Sequence, residues 1–442
     1  MGAFSAGFEH QGERLFEVIA AMFSAIIPGV MAGRTHGPED RIRRQARPTS
    51  PHSRPVLHTE TMASALLTLV SGRKVIVCAG SGGVGKTTVA AALSLGAAGG
   101  GRRVLCLTID PARRLANSLG IESMTHGVHR IDSERLVALG YAQAGELSVM
   151  MLDTKTVFDH LIEKHAKSVA LRDRILSNKL YQSISTHLAG VQSYMSMEKV
   201  LEVTQDPRFD LIVLDTPPTT EALDFLRAPE RLMEALDSPA MRWLVQAFEP
   251  KRAFGFNLVA RGAAFALRGL GRLTGKGFLA SVAEFVTDLS ALFGGFRSRA
   301  LELRRAFTSP AFGYVLVTAP RESAIADAEF FVASLAAEGI SVDAVVINRL
   351  HRAPDANVTH VELTARLAQL QMPLSSDLPG RILQAGQEAQ TVAEEEARQV
   401  ARLSAKLRAL NVPSEALLRV PAMERDVHDL SALAEVAAVL LA

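Results

Sequence analysis

Gly80-Ser81-Gly82-Gly83-Val84-Gly85-Lys86-Thr87 follows the apolar run Val75-Ile76-Val77-Cys78-Ala79 and leads into Thr88-Val89-Ala90-Ala91-Ala92-Leu93. The octapeptide fits the phosphate-loop pattern G-x-x-x-x-G-K-[ST], with a strand-like run before it and a helix-forming run after it, the context that gives the pattern meaning. Its glycines let backbone N–H groups curl around a phosphate, and the start of the following helix adds the positive end of its dipole. Lys86 is the expected point charge for the β- and γ-phosphates, and the Thr87 hydroxyl an expected ligand for Mg2+. The nucleotide-binding set read here is Gly80, Ser81, Gly82, Gly83, Val84, Gly85, Lys86, Thr87 and Thr88. A mere Gly-rich turn is the bland alternative, and it does not account for the strand, the helix and the later acidic partner.

The same logic extends along the chain. Short apolar runs at Lys74–Ala79, Arg103–Ile109, Leu147–Leu152, Phe209–Leu214, Tyr314–Thr318 and Ala344–Ile347 alternate with helical stretches. Continuous apolar strands separated by helices imply a parallel sheet covered on both faces. The expected fold is therefore α/β, a doubly wound and mostly parallel sheet. Ligands of such sheets bind at the carboxyl ends of the strands. The polar residues Gly80, Asp110, Asp215 and Asn348 each follow one of these runs. The chain is expected to end in an amphipathic helix over about Gln387 to Leu410, a short run at Leu417–Val420 and a last helix after Asp429.

Phe209-Asp210-Leu211-Ile212-Val213-Leu214-Asp215 reads as a strand closing on a carboxylate, and Asp215 is expected to hold Mg2+ through water. Its continuation, Thr216-Pro217-Pro218-Thr219-Thr220, is a stiff turn placed to sense the γ-phosphate. Thr108-Ile109-Asp110-Pro111-Ala112-Arg113-Arg114 offers a second carboxylate. Asp110 before Pro111 is also an ordinary helix cap; behind a phosphate loop we read it as the group that positions the attacking water.

Composition narrows the alternatives. With 48 basic and 46 acidic residues, the overall field does not call for nucleic acid. Cys78 and Cys106 are the only cysteines and both lie inside strand-like runs, which excludes a disulfide framework and points to a reducing compartment, the cytoplasm. The stretch from Leu15 to Ala32 is apolar, but Glu17 and Pro28 interrupt it and it lacks a basic start. Arg34 to Thr59 is rich in Arg, Pro, His and Ser and reads as a linker. Residues 1–61 are thus read as a poorly ordered extension, dispensable for activity. Residues 62–442 are read as one ATPase domain with a helical insertion at about 221–307. Within that insertion, Lys251 to Lys276 carries six basic residues, no acidic one and interleaved apolar side chains such as Phe265 and Leu270. That pattern fits either an amphipathic helix for apolar clients or an anionic membrane, or one packed on the core.

Taken together, these motifs resemble the arsenical-pump-driving ATPase family, which includes the targeting factor for tail-anchored membrane proteins. The resemblance runs from about Lys74 to the C-terminus. It rests on the deviant loop Ser81–Thr87, on Asp110-Pro111-Ala112, on Asp215-Thr216-Pro217-Pro218-Thr219 and on the apolar Leu223, Phe225 and Leu226. It implies that Asn348, in Val345-Val346-Ile347-Asn348-Arg349, reads adenine and that the loop around Pro421 covers the base. ATP and Mg2+ are the implied cofactors, with hydrolysis coupled to a conformational switch. The chain departs from the family in three places. Ser81 stands where the family has a lysine that reaches a dimer partner's nucleotide, Arg113 replaces a histidine, and no Cys-x-x-Cys zinc clasp exists. A homodimer would therefore lack the lysine in trans, and a heterodimer with a lysine-bearing relative is the other assembly open to it. Three uses of the switch follow: handling hydrophobic protein or membrane-associated clients, driving an anion or metalloid transporter, or acting as a slow positioning ATPase.

Overall fold

The computed structural model describes residues 60–109, 115–116, 119, 121, 127–141, 144–178, 180–182, 185, 189–239, 284–285, 287–289, 292–354, 358–370 and 377–442. Two compact units divide the chain. One comprises His58–Asp153, Ser196–Leu226 and Arg305–Ala442, and the other takes in Thr154–Met195 and Arg227–Arg304.

The first unit is built on an eight-stranded sheet. Its strands are β1 (Val75–Ala79), β2 (Arg103–Thr108), β3 (Gly127–Arg130), β4 (Glu146–Met151), β5 (Leu211–Asp215), β6 (Phe312–Thr318), β7 (Ala344–Leu350) and β8 (Leu417–Pro421), in the spatial order β3-β4-β2-β5-β1-β6-β7-β8. Every pairing is parallel except β3 with β4. The doubly wound, mostly parallel sheet expected from the sequence is the fold observed. β1 lies centrally, with β5 on one side and β6 on the other. The chain leaves β1 toward β2 and later returns to β6, so β1 is the switch point where such sheets bind ligands.

β3 was not legible as a strand. Gly127, Val128 and Arg130 are exposed at the edge of the sheet, so no apolar run marks them. Central strands such as β1 and β5 are buried throughout and therefore stand out as apolar runs.

The helix Lys86–Gly99 carries the phosphate loop and has no polar face. Val89, Ala90, Ala91, Ala92, Leu93 and Leu95 are all fully buried. A helix apolar all round must be covered on more than one side, and here the sheet covers one side while the helix Leu430–Leu441 covers another. The seat is close: a Cβ on Gly96 would stand 2.3 Å from Leu441 Cδ1. Its one wholly buried hydroxyl, Ser94, donates to Ala90 O at 2.7 Å. Each fully buried Leu or Val side chain in this layer contributes about 1.5–3 kcal/mol by leaving water. The phosphate loop thus begins a helix that cannot shift without opening the core.

At the opposite edge of the sheet Arg103 and Asp210 pair at 2.6 Å, and the Arg103 guanidinium holds the Asp210 carboxyl well below the usual range. The pair is too exposed to add much stability; it fixes the start of β2 against β5.

The second unit is helical in its described residues, with Thr154–His165, Val169–Ser177 and Ala228–Asp237 among its elements. Phe158 stacks near Tyr181 and Phe296, with ring centroids 5.0 and 6.3 Å away, and Tyr194 also meets Phe296 edge-on at 6.3 Å. Arg174 grips the nearly buried Asp288 through two hydrogen bonds of 2.7 and 2.9 Å. Thr154–Met195 belongs to this unit as well as Arg227–Arg304, whereas the sequence pattern suggests an insertion only at about 221–307. The basic, apolar stretch from Lys251 to Lys276 lies outside the described residues, as do residues 1–59 of the extension read over 1–61; its last two residues, Glu60 and Thr61, begin the helix Glu60–Gly72.

Candidate functional site

The carboxyl ends of β1, β2, β5 and β7 bring the phosphate loop, Thr108, Asp215 and Asn348 to one edge of the sheet. The loop owes its path to glycine. Gly83 and Gly85 have φ of 77° and 94°, in the left-handed region that other residues rarely occupy. A Cβ on Gly80 would stand 2.0 Å from Val317 O, so the chain can leave β1 this close to β6 only at glycine. Gly82 and Gly83, by contrast, are exposed, with no heavy atom within 4 Å of an added Cβ. The mouth of the loop faces solvent where an anion would enter.

Lys86 is largely buried and its Nζ donates to Ser81 O at 3.0 Å, which lays the ammonium across the loop. The Thr87 hydroxyl donates to Asp215 Oδ2 at 2.8 Å, and the Thr108 hydroxyl donates to the same oxygen at 3.2 Å. Asp215 is 1% exposed. A carboxylate beside a hydroxyl at the start of a helix is a hard-oxygen donor set and fits Mg2+. Among the described residues no cluster of three or more His, Cys, Asp or Glu forms a metal site of another kind.

Thr108 was not singled out in the sequence, although its place two residues before Asp110 was a usable signal. Thr216 had been read as part of a phosphate-sensing turn. Its hydroxyl donates to Cys78 O at 2.8 Å and its N–H to the same oxygen at 3.2 Å, which ties the end of β5 to β1. Asp110, Pro111, Ala112, Arg113 and Arg114 lie outside the described residues. The chain just before them is anchored, since Ile109 N–H donates to Asp215 O at 3.2 Å.

Asn348 is drawn onto the phosphate loop. Its Nδ2 donates to Val84 O at 2.9 Å, and its Oδ1 accepts from Arg349 N–H at 3.0 Å. An amide has a second N–H, so a base contact is compatible with this geometry. Arg349 reaches the neighbouring carbonyl, with Nη1 donating to Gly83 O at 3.1 Å. Pro421 ends β8 across from Leu350, two residues beyond Asn348 on the same sheet edge. Leu223 and Phe225 are buried, with Phe225 edge-on to Phe307 at 6.0 Å. The two thiols are core groups: burial pushes Cys106 up to about 12 and Cys78 well above the ordinary thiol range. Neither is a thiolate at neutral pH.

Gly85 makes the site's most direct stability test. Gly85→Ala forces a Cβ to within 2.2 Å of Asn348 Nδ2 and places alanine at φ 94°. The left-handed backbone alone costs about 1–2 kcal/mol. Calorimetric titration should show nucleotide affinity at least about tenfold weaker, and wild-type affinity would contradict this geometry.

Residues 73–254 match the family described as Anion-transporting ATPase. Among curated proteins the chain is 32% identical over 159 residues to an ATPase ASNA1 homolog of Babesia bovis, covering 36% of this chain and 39% of that one. It is 28% identical over 188 residues to ATPase get3 of Aspergillus terreus, covering 41% and 51%. ATPase GET3 of Malassezia globosa is 28% identical over 163 residues, covering 37% and 44%. The matched stretch spans about half the length of these relatives or less.

Proposed function

We propose that this chain, whose residues 73–254 match the family described as Anion-transporting ATPase, hydrolyses ATP to ADP and phosphate and couples the step to handling apolar protein segments. The observation that carries the reading is the shared geometry of Lys86, Thr87 and Asp215. A lysine folded over a glycine loop stands within the same helix start as a hydroxyl hydrogen-bonded to a buried carboxylate. Mg2+, when bound, neutralises charge on the β- and γ-phosphate oxygens, and Thr87 and Asp215 would hold it. Lys86 moves its ammonium from Ser81 O to a phosphate oxygen. Water attacks the γ-phosphorus, the bond to the ADP oxygen breaks, and Asp110 orients the water and takes its proton. Asn348 reads adenine through its second N–H, and the turn at Pro421 covers the base.

The client side rests on the family resemblance, together with the helical unit that accompanies the sheet. The runner-up, a metalloid-transport subunit, needs soft thiolate ligands. Cys78 and Cys106 are buried, with burial holding both thiols protonated, which favours the protein-client reading. Among the described residues no helix is long and apolar enough to cross a membrane. A cytoplasmic ATPase that meets the inner face of a membrane when it delivers its client is the arrangement proposed. Assembly is as a dimer, and because Ser81 cannot span an interface, a partner that keeps the lysine completes the site.

Asp110→Asn tests both halves of the proposal. The amide still orients water but cannot accept its proton, so ATP should bind with near wild-type affinity and turnover should fall about 100-fold or more. Protein copurified with the ATP-loaded variant should be rich in apolar segments. Normal turnover would remove Asp110 from the reaction, and copurified proteins without such segments would remove the client role.

A further inference from the structure

Arg349 is one of two described non-glycine residues with positive φ, at 64°. It sits where the pairing of β7 with β8 slips, between Ile347 and Leu350. In a regular strand, adjacent side chains point to opposite faces. Here the irregularity and the left-handed residue break that alternation. Consecutive side chains, Asn348 and Arg349, therefore reach consecutive carbonyls of the phosphate loop, Val84 O at 2.9 Å and Gly83 O at 3.1 Å. Bulges that re-aim side chains in this way concentrate beside active sites, and strained backbone persists only where its surroundings hold it. The turn is held from beyond as well. His351 N–H donates to Glu396 Oε2 at 2.8 Å, and its ring Nδ1 lies 2.7 Å from Glu396 Oε1. Glu396 is buried on the helix Leu378–Ala409.

The direction of those two carbonyls matters because a peptide unit is planar and trans, so its C=O and N–H point opposite ways. Pinning Gly83 O and Val84 O outward turns the N–H groups of Val84 and Gly85 to the other side of the loop. That is the side on which a phosphate is held, since a phosphate loop binds anions through its N–H groups. We propose that Arg349 is a positioning residue of the phosphate site: with Asn348 it clamps the loop's carbonyls outward and so aims two backbone N–H groups at the anion before it arrives. Arg349 does not contact the phosphates itself, because it stands on the carbonyl side of the loop. Gly85 is required at the contact point, where any side chain would displace Asn348. This inference rests on the nucleotide site proposed above, and it assigns Arg349 a role independent of base recognition.

Calorimetric titration of the full chain with ATP and with inorganic tripolyphosphate, which has no base, tests it. The clamp predicts that Arg349→Ala weakens both ligands by the same factor, roughly three- to tenfold, the scale of one hydrogen bond. Arg349→Lys, which keeps one donor for Gly83 O, should recover most of the loss. A deficit seen with ATP alone would make Arg349 a base-side residue and overturn the clamp. Unchanged affinities in Arg349→Ala would overturn it too, as would failure of the wild-type chain to bind tripolyphosphate while it binds ATP. A wild-type chain that binds neither ligand would instead remove the nucleotide site, and the clamp with it.

Discussion

Lys86→Ala should abolish measurable ATP turnover while leaving the chain folded. In the structure the ammonium donates to Ser81 O, a carbonyl of its own loop. That contact contributes about 1 kcal/mol, the scale of one hydrogen bond, and its loss lowers the melting temperature by only a few degrees. Its part in the reaction is far larger. The charge on the transferring phosphoryl group spreads over its outer oxygens, and a fixed cation there acts in a site already organised to receive it. Removing one such group costs about 100- to 1000-fold in turnover. Phosphate release and a thermal melt, made on the same preparation, separate the two effects. Retained turnover would show that the lysine does not serve the phosphates, and an unfolded variant would show that its place on the loop is structural.

Asp215→Asn is the second large effect. Oδ2 accepts from both Thr87 and Thr108, and an amide oxygen can accept the same two bonds, so the local geometry should survive. What the variant loses is the negative charge that favours Mg2+ beside the β- and γ-phosphates. Disturbing a group that supports a metal ion costs about 10- to 100-fold in metal affinity. The Mg2+ concentration needed for half-maximal turnover should rise by that factor, while ADP binding without Mg2+ stays close to wild type. An unaltered Mg2+ dependence would take Asp215 out of the metal site and leave it as an anchor for two threonines.

The parts of the site carried by local chemistry were legible in the sequence. Gly80 to Thr87 needs only its flanking strand and helix to be read as a phosphate loop, and Asp215 is visible as the carboxylate ending a fully apolar strand. β1, β2, β4, β5, β6 and β7 announce themselves because both faces are covered. β3 does not, because an edge strand with exposed Gly127, Val128 and Arg130 carries no apolar signal. Long-range arrangements were hidden for a different reason. Asn348 had been read as a base contact, and its bond to Val84 O joins residues far apart in the chain. Strand alternation would have sent Arg349 to the opposite face, and only the slip in pairing and its left-handed backbone bring it to Gly83. The grouping of Thr154–Met195 with Arg227–Arg304 likewise depends on aromatic contacts such as Phe158 with Phe296, which no periodicity reveals.

The central claim is that residues 80–87 hold the phosphates of a nucleotide, and equilibrium titration of the purified full chain with ADP tests it most directly. The account predicts saturation at one ADP per chain, with affinity sharply reduced in Gly85→Ala, whose added Cβ cannot coexist with Asn348. Saturable binding of equal strength in Gly85→Ala, or no binding to the wild-type chain at millimolar ADP, would contradict it.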